Sequence, residues 1–142
     1  MGENRMDKKQ LVAEALAARE SAYTPYSGFA VGAALLTKEG KVYRGCNIEN
    51  ATYTPTVCAE RTAFFKAVSE GEHDFAAIAI VGGPAGKSPV DFCFPCGVCR
   101  QVMAEFCKDD FKLIIGKSPE EYEEYTLDDI LPHMFSEKDL RK

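Results

Sequence analysis

The sequence predicts an α/β fold in which helices cover one β-sheet, and three observations support this prediction. Segments with helical and strand-like patterns alternate along the chain. The 142 residues match the usual length of one domain, so we expect a single domain over residues 1–142. The hydrophobic fraction of 46% is ordinary for a globular protein that buries a core.

The first third of the chain predicts a helix followed by a hairpin. Apolar residues at helical spacing in an Ala-rich stretch predict an amphipathic helix over residues 7–22, which the turn-forming residues 24–28 end. Residues 29–37 and 42–46 are apolar and β-rich and flank a short polar turn, so they predict a β-hairpin. Residues 47–57 are polar and irregular, which indicates a loop.

The middle of the chain predicts two helices and two buried strands. Residues 58–70 have helical apolar spacing, and residues 75–81 form a continuous apolar run, typical of a strand buried on both faces. Residues 82–95 contain three Pro and three Gly and indicate a long loop. A second short helix is predicted over residues 97–107, and a further strand over residues 111–115.

The C-terminal part is more polar. Residues 120–124 predict an acidic, solvated segment, and Thr126 is the predicted cap of a helix that Pro132 breaks. A polar tail is predicted from Ser136 onwards. The order of hairpin, helix, strand, helix and strand indicates an α/β sandwich.

Charge and the N-terminus argue against several partners. The chain carries 17 Lys and Arg against 22 Asp and Glu, a net charge of −5, which disfavours a phosphate-neutralising surface for nucleic acid. No apolar run approaches the ~20 residues that span a bilayer. The charged segment Met1–Met6 has no apolar signal core behind it. We therefore expect a cytoplasmic protein without a nucleic-acid or membrane partner.

The cysteines predict a metal site rather than a disulfide framework. In a reducing compartment, clustered cysteines more often bind metal or do redox work. Cys58 opens one predicted helix, and Cys96 and Cys99 open another as a CxxC pair. Three thiolates suit a zinc ion that keeps one coordination position for water, as catalytic zinc sites do. A fourth cysteine, with Cys93 closest in sequence, would instead give a closed structural site, and this alternative stays open.

Two neighbours of Cys58 indicate catalysis. Three thiolates and Zn²⁺ sum to a charge of −1, which opposes ionisation of a bound water. Helix N-termini favour anions, and Arg61 lies within one turn of Cys58, so both offset this charge. Glu60 is the natural proton acceptor for that water, although alone it would be interpreted as a first-turn acid that stabilises its helix.

The matching pattern extends beyond these cysteines. Five segments, together with the Pro95–Cys99 motif, resemble the small homotetrameric zinc-dependent cytidine deaminases, and the likeness covers most of residues 10–135. The segments are Phe29-Ala30-Val31-Gly32-Ala33-Ala34, Gly45-Cys46-Asn47-Ile48-Glu49-Asn50-Ala51, Cys58-Ala59-Glu60-Arg61-Thr62-Ala63, Ala67-Val68-Ser69-Glu70-Gly71 and Cys99-Arg100-Gln101-Val102.

This resemblance implies a fold and an activity. The implied fold is a three-layer α/β/α sandwich with a mixed sheet. The implied reaction is hydrolytic deamination of cytidine and deoxycytidine to uridine and deoxyuridine, with release of ammonia, as in pyrimidine salvage. It implies one Zn²⁺ per subunit, held by Cys58, Cys96 and Cys99, with Glu60 moving protons for a zinc-activated water.

The resemblance also implies a substrate site shared between subunits of a homotetramer. Asn47 and Glu49 would hold the ribose, chiefly its 3′-hydroxyl, and Phe29 would pack against the nucleoside. The backbone of Ala59 and of the Cys96 region would contact the pyrimidine edge. The residues expected from neighbouring subunits are Ala51 and Tyr53, near the sugar 5′ end, and Phe135, stacked on the base.

Two other functions stay open from the sequence. One is a zinc-ribbon-like interaction module with structural cysteines, and the other is a deaminase of a different cytosine compound, such as an aminonucleoside antibiotic or a nucleotide. Phe94, the loop over residues 82–94 and His133-Met134 depart from the pattern. Cys46, Cys93 and Cys107 are expected to be buried as small hydrophobes, and His73 and His133 to face solvent.

Overall fold

The structure, a computed structural model, describes residues 6–141, and those residues form a five-stranded sheet. The expectations for the segment Met1–Arg5 lie outside the described residues. The strands are β1 (Phe29–Thr37), β2 (Val42–Cys46), β3 (Phe75–Pro84), β4 (Lys112–Ser118) and β5 (Glu121–Thr126), in the spatial order β2-β1-β3-β4-β5. The β3–β4 pair is parallel and the other three pairs are antiparallel, so the sheet is mixed, as expected.

Helices cover both faces of this sheet. They are α1 (Lys8–Arg19), α2 (Ala59–Ser69), α3 (Gly97–Phe106), α4 (Leu127–Ile130) and α5 (Glu137–Leu140). Helix α1 packs on one face through Leu11, Val12 and Ala15, and α2 and α3 pack on the other through residues that include Phe64 and Met103. The predicted three-layer α/β/α sandwich is confirmed.

Alternation along the strands separates the two cores. Ile78 and Ile80 of β3 face α2 and α3, whereas Ala79 and Val81 face α1, as the two-residue period of a strand requires. All four side chains are fully buried. The prediction that this strand is buried on both faces is therefore confirmed, and the helix pair α2 and α3 rests on a rigid central strand.

Two glycines let the helices approach the sheet closely. A Cβ atom on Gly32 of β1 would lie 2.0 Å from the carbonyl oxygen of Ala15 in α1. A Cβ atom on Gly45 of β2 would lie 2.3 Å from the carbonyl oxygen of Ala59, the first residue of α2. Neither distance is possible between real atoms, so glycine at these positions sets how near α1 and the start of α2 lie to the sheet.

Two predictions of irregular structure are wrong. Strand β3 continues to Pro84, where a loop was expected from Gly82, because Gly83 and Pro84 pair with Ala30 and Phe29 of β1. The acidic segment predicted over residues 120–124 contains most of the edge strand β5. Its charged side chains suit a sheet edge, where they discourage pairing with another chain.

The C-terminal segment is also more ordered than expected. Thr126 caps α4 as predicted, because its side chain accepts a hydrogen bond from the Asp129 amide. The tail after Ser136 contains the single-turn helix α5, with the Ser136 amide donating to the Asp139 carboxylate. Within residues 6–141, no helix has the length and apolar character needed to cross a membrane.

Candidate active site

Three cysteine thiols meet where α2 and α3 begin. Cys58 is the N-cap residue of α2, Cys96 is the N-cap residue of α3, and Cys99 lies in the first turn of α3. The Sγ atom of Cys96 is 3.6 Å from that of Cys58 and 3.7 Å from that of Cys99. A disulfide would need about 2.05 Å. Sulfur ligands 2.3 Å from a tetrahedral zinc ion are roughly 3.8 Å apart, so this donor set fits zinc.

The cluster contains three ligands rather than four. In the part of the chain that the structure describes, no fourth His, Cys, Asp or Glu ligand atom joins these three within 4.8 Å. Cys93, the candidate for a closed site, instead lies against β3, where a Cβ on Gly82 would be 2.8 Å from its Sγ atom. This geometry argues against the closed structural site of a zinc-ribbon module and leaves one coordination position free of protein ligands.

The surroundings of Cys58 favour its thiolate. Hydrogen bonding within the cluster, first with Cys99 and then from the Arg61 side chain, lowers the pKa of Cys58 to about 5. The Nη2 atom of Arg61 lies 3.5 Å from the Cys58 sulfur. The Nε atom of Arg61 is buried and has no hydrogen-bond partner among residues 6–141. Arg61 thus places positive charge beside the Cys58 sulfur.

Glu60 is buried beside the cysteine cluster. Its exposed fraction is 3%, although glutamates in the first turn of a helix usually face solvent. Burial raises the pKa of its carboxyl group to about 7, and the negative charge of Cys58 acts in the same direction. A carboxyl group with this pKa exchanges protons readily near neutral pH, which a residue that merely stabilises its helix does not need.

Asn47 contacts the first residues of β1, and Glu49 contacts the turn that precedes β1. The Asn47 side chain donates to the Phe29 carbonyl oxygen (2.9 Å) and accepts from the Val31 amide (2.9 Å). The Glu49 carboxylate accepts hydrogen bonds from Tyr26 and Ser27. The Ser27 hydroxyl is the main cause of a lowered pKa of Glu49. Both polar side chains are therefore held in place by hydrogen bonds to the protein.

Sequence reasoning missed Ser27 at this site. The residue lies in the turn of residues 24–28, and its hydroxyl donates to the Glu49 carboxylate. The available signal was a serine two residues before Phe29, inside a segment interpreted solely as a turn. Such a contact across 22 residues has no local pattern in the sequence.

The substrate-contacting residues expected from neighbouring subunits are exposed in the single chain. Tyr53 is 79% exposed and Phe135 is 57% exposed, and Ala51 is exposed as well. Phe29 is 42% exposed. Tyr26, Ser27, Glu49 and Tyr53 line an open cleft of about 410 Å³. These side chains are thus available to ligands or to another chain.

The remaining cysteines and histidines have no place in the thiol cluster. Cys46, Cys93 and Cys107 are partly buried, less completely than expected, and burial raises the pKa of each thiol. His73 and His133 are exposed, as predicted. Among the departures from the family pattern, Phe94 packs edge-on against Tyr125, with 5.3 Å between the ring centroids.

Comparison with known proteins agrees with this geometry. The family model described as the cytidine and deoxycytidylate deaminase zinc-binding region matches residues 5–115. The chain is similar to the cytidine deaminase of Halalkalibacterium halodurans, with 53% identity over 95% of this chain and 98% of that protein. It is 52% identical to the cytidine deaminase of Sporosarcina psychrophila, over 95% and 96% of the two chains.

A solved structure supports the same relationship. The crystal structure of a cytidine deaminase from Burkholderia pseudomallei aligns with a TM-score of 0.82 and 45% sequence identity. The alignment covers 92% of this chain and all of that one. The similarity therefore extends over most of the chain.

Proposed function

Because the chain belongs to the family defined by the cytidine and deoxycytidylate deaminase zinc-binding region, we propose that it catalyses hydrolytic deamination of cytidine and deoxycytidine. The products are uridine or deoxyuridine and ammonia, a reaction of pyrimidine salvage. The observation that supports this function best is the three-thiol cluster beside the buried Glu60 carboxyl group. The proposal applies to one domain over residues 1–142.

Cys58, Cys96 and Cys99 hold one zinc ion per chain. When bound, zinc supplies Lewis acidity that makes a water molecule a good nucleophile near neutral pH. The start of two helices and the Arg61 guanidinium compensate the negative charge of the three sulfur ligands. The protein thereby keeps the site from becoming too electron-rich to activate water.

Glu60 moves the protons of the reaction. It accepts a proton from the attacking water and delivers it to the ring nitrogen next to the amine-bearing carbon. It then passes the second proton of that water to the exocyclic amine, which leaves as ammonia while the carbonyl of uridine forms. Overall, cytidine and water give uridine and ammonia. The pKa of Glu60 near 7 suits a group that alternates between its charged and neutral forms.

The segment around β1 holds the nucleoside. Asn47 and Glu49 bind the ribose, chiefly through its 3′-hydroxyl, and Phe29 packs against the nucleoside. The backbone of Ala59 contacts the pyrimidine edge. A charged Glu49 repels a phosphorylated sugar, and its lowered pKa keeps it charged at neutral pH. This favours nucleosides over nucleotides as substrates.

The active form is a homotetramer with active sites shared between subunits. Ala51, Tyr53 and Phe135 from neighbouring chains complete each site, in keeping with their exposure in the single chain. The free thiols of all six cysteines agree with a reducing compartment, and we propose the cytoplasm.

Absorbance and ammonia assays on the purified protein test the proposed reaction. We expect turnover of cytidine and deoxycytidine, loss of activity after chelation and recovery with added zinc, with elemental analysis giving one zinc per chain. Deoxycytidylate and an aminonucleoside antibiotic serve as comparison substrates. Faster turnover of either, or activity that survives complete removal of zinc, would contradict the proposal.

A Glu60→Gln variant tests the role of the carboxyl group separately from the metal. We expect the variant to retain its zinc and to lose about 10²–10⁴-fold in kcat, the usual contribution of general acid–base catalysis. Arg44→Gln, which alters an exposed ion pair with Glu14, is the control and should keep its activity. A Glu60→Gln enzyme with near-normal kcat would remove this residue from the mechanism.

A further inference from the structure

The Ser27 hydroxyl connects two residues of the proposed sugar site. Its Oγ atom donates a hydrogen bond to Oε2 of Glu49 and accepts one from the Phe29 amide at 3.0 Å. The amides of Tyr26 and Ser27 donate to the other carboxylate oxygen, Oε1, at 2.9 and 3.1 Å. One turn of the chain therefore fixes both the Glu49 carboxylate and the backbone of Phe29.

These bonds leave a defined part of the carboxylate free. A carboxylate has about four positions at which it accepts hydrogen bonds, two on each oxygen. The two amides occupy both positions on Oε1, and the Ser27 hydroxyl occupies one on Oε2. A single position on Oε2 is left for a donor from outside, which matches one sugar hydroxyl.

We propose that Ser27 is a positioning residue that gives the site its selectivity for a nucleoside with a free 3′-hydroxyl, by holding the Glu49 carboxylate in place. The inference rests on the proposed function, because it assumes that Glu49 binds the ribose. Ser27 does not touch the reacting atoms.

The Glu49 carboxylate needs to be held in place because the cleft is exposed. Ser27 is exposed, and Glu49 is at the edge of the open cleft that Tyr26 and Tyr53 also line. A free glutamate side chain there would lose rotamer freedom each time a sugar bound. The Ser27 hydroxyl fixes the Glu49 side chain before the sugar binds, so this entropy is not lost on binding. Its hydrogen bond with the Phe29 amide also fixes the position of the carboxylate relative to Phe29, which packs against the nucleoside.

Cytidine and 3′-deoxycytidine, assayed with the same enzyme preparations, test this role. Ser27→Ala should lower kcat/KM for cytidine about 10-fold, the effect of one hydrogen bond to a charged group. It should change kcat/KM for 3′-deoxycytidine less than about twofold, because that substrate lacks the group that Glu49 binds. Ser27→Thr keeps a hydroxyl and should therefore retain most of the preference for cytidine over 3′-deoxycytidine in kcat/KM. The control Ser69→Ala removes another exposed serine hydroxyl, which bonds to the Lys66 carbonyl at 2.7 Å, and should leave both values unchanged.

Glu49→Gln separates the two proposals. If this variant loses the preference for cytidine and Ser27→Ala does not, Glu49 binds the sugar and the role of Ser27 is refuted. If Glu49→Gln lowers kcat/KM equally for cytidine and 3′-deoxycytidine, the proposed sugar contact itself is refuted. The ratio of the two kcat/KM values does not depend on the active enzyme concentration, so partial misfolding of a variant cannot produce or hide the effect.

Discussion

At the scale of single residues, the buried carboxyl group of Glu60 has a thermodynamic cost. Among the residues that the structure describes, it is the one buried acidic side chain, and it has no ion-pair partner there. Its pKa is raised from 4.5 to about 7, mainly by burial. A residue that destabilises the fold in this way is typical of a functional site rather than of a core.

This cost predicts a pH-dependent stability of the zinc-free protein. Between pH 4.5 and 7 the folded chain holds the Glu60 proton while the unfolded chain releases it, so Glu60 lowers the free energy of unfolding as the pH rises. Glu60→Gln does not titrate. We therefore expect zinc-free Glu60→Gln to gain about 3 kcal/mol over the zinc-free parent between pH 4.5 and 8.

Urea unfolding of both zinc-free proteins at these two pH values measures that gain. Cys58 titrates in both proteins, so its contribution largely cancels in the difference. A difference in unfolding free energy that is the same at both pH values would show that Glu60 is solvated.

The residues that sequence reasoning identified and those that it missed differ in how their partners are encoded. Cys58, Cys96 and Cys99 form a cluster because each lies at the start of a helix, and helix starts can be predicted locally. Ser27 and Glu49 meet because β1 and the loop after β2 lie side by side. That contact depends on the tertiary arrangement, so the sequence indicated the polar residues but not the bonds between them.

At the scale of elements, Arg19 joins α1 to the end of the sheet nearest Phe29. Its side chain is buried and donates to three carbonyl oxygens, those of Ala30 (2.8 Å), Gly83 (2.9 Å) and Pro84 (2.7 Å). These bonds hold the start of β1 against the last residues of β3. The extension of β3 beyond the predicted strand end follows in part from this arginine.

Replacing Arg19 by Met should therefore destabilise the fold. The substitution leaves carbonyl oxygens without their donor, at a cost of about 3 kcal/mol in the free energy of unfolding. Arg44→Met is the matched control, because Arg44 makes an exposed ion pair with Glu14, and should cost less than about 1 kcal/mol. Chemical denaturation measures the free energy of unfolding of both variants. Equal losses in this free energy would show that the buried hydrogen bonds of Arg19 stabilise the fold no more than the exposed ion pair of Arg44 does.

Gly45 and Gly32 provide a second test at this scale. Gly45→Ala must push the start of α2 away from the sheet, which displaces Cys58 and Glu60. Gly32→Ala makes an equally severe contact, but with α1 on the opposite face. Zinc content and cytidine turnover should therefore fall much further with Gly45→Ala than with Gly32→Ala at comparable loss of melting temperature. Equal zinc loss in the two variants would contradict this assignment.

The two elements that were not predicted, β5 and α5, were missed for different physical reasons. Strand β5 was missed because acidic residues suggest solvent, yet Tyr122 and Tyr125 of this strand pack toward opposite helix layers. Helix α5 was missed because a four-residue helix has almost no periodicity to detect. In β5, packing against the rest of the molecule outweighs local composition, whereas α5 has no buried residue and forms around a local cap between Ser136 and Asp139. The long, strongly patterned segments were predicted with boundaries that differ by up to three residues.

At the scale of the whole molecule, the single chain exposes aromatic side chains that a monomer would normally cover. Tyr23, Tyr26 and Tyr53 are all more than half exposed, and so is Phe135 at the other end of the chain. Exposed aromatic residues are enriched in protein interfaces. We expect light scattering to give the mass of four chains, and a monomer that retains full activity would refute the shared sites.

Mixing of one impaired and one inactive variant tests those shared sites directly. Phe135→Ala should lower kcat/KM about 10-fold, because stacking of a base on an aromatic ring contributes about 1–3 kcal/mol. Glu60→Ala should be inactive for a different reason. In tetramers assembled at random from equal amounts of both chains, about a quarter of the sites combine an intact Glu60 with an intact Phe135 from the neighbour. Activity should then exceed the sum of the separate variants several-fold. The control mixture combines Glu60→Ala chains with Glu49→Gln chains. Glu60 and Glu49 each act in the site of their own chain, so this mixture should not gain activity over the separate variants. The absence of a gain in activity in both mixtures would show that each site is built from one chain.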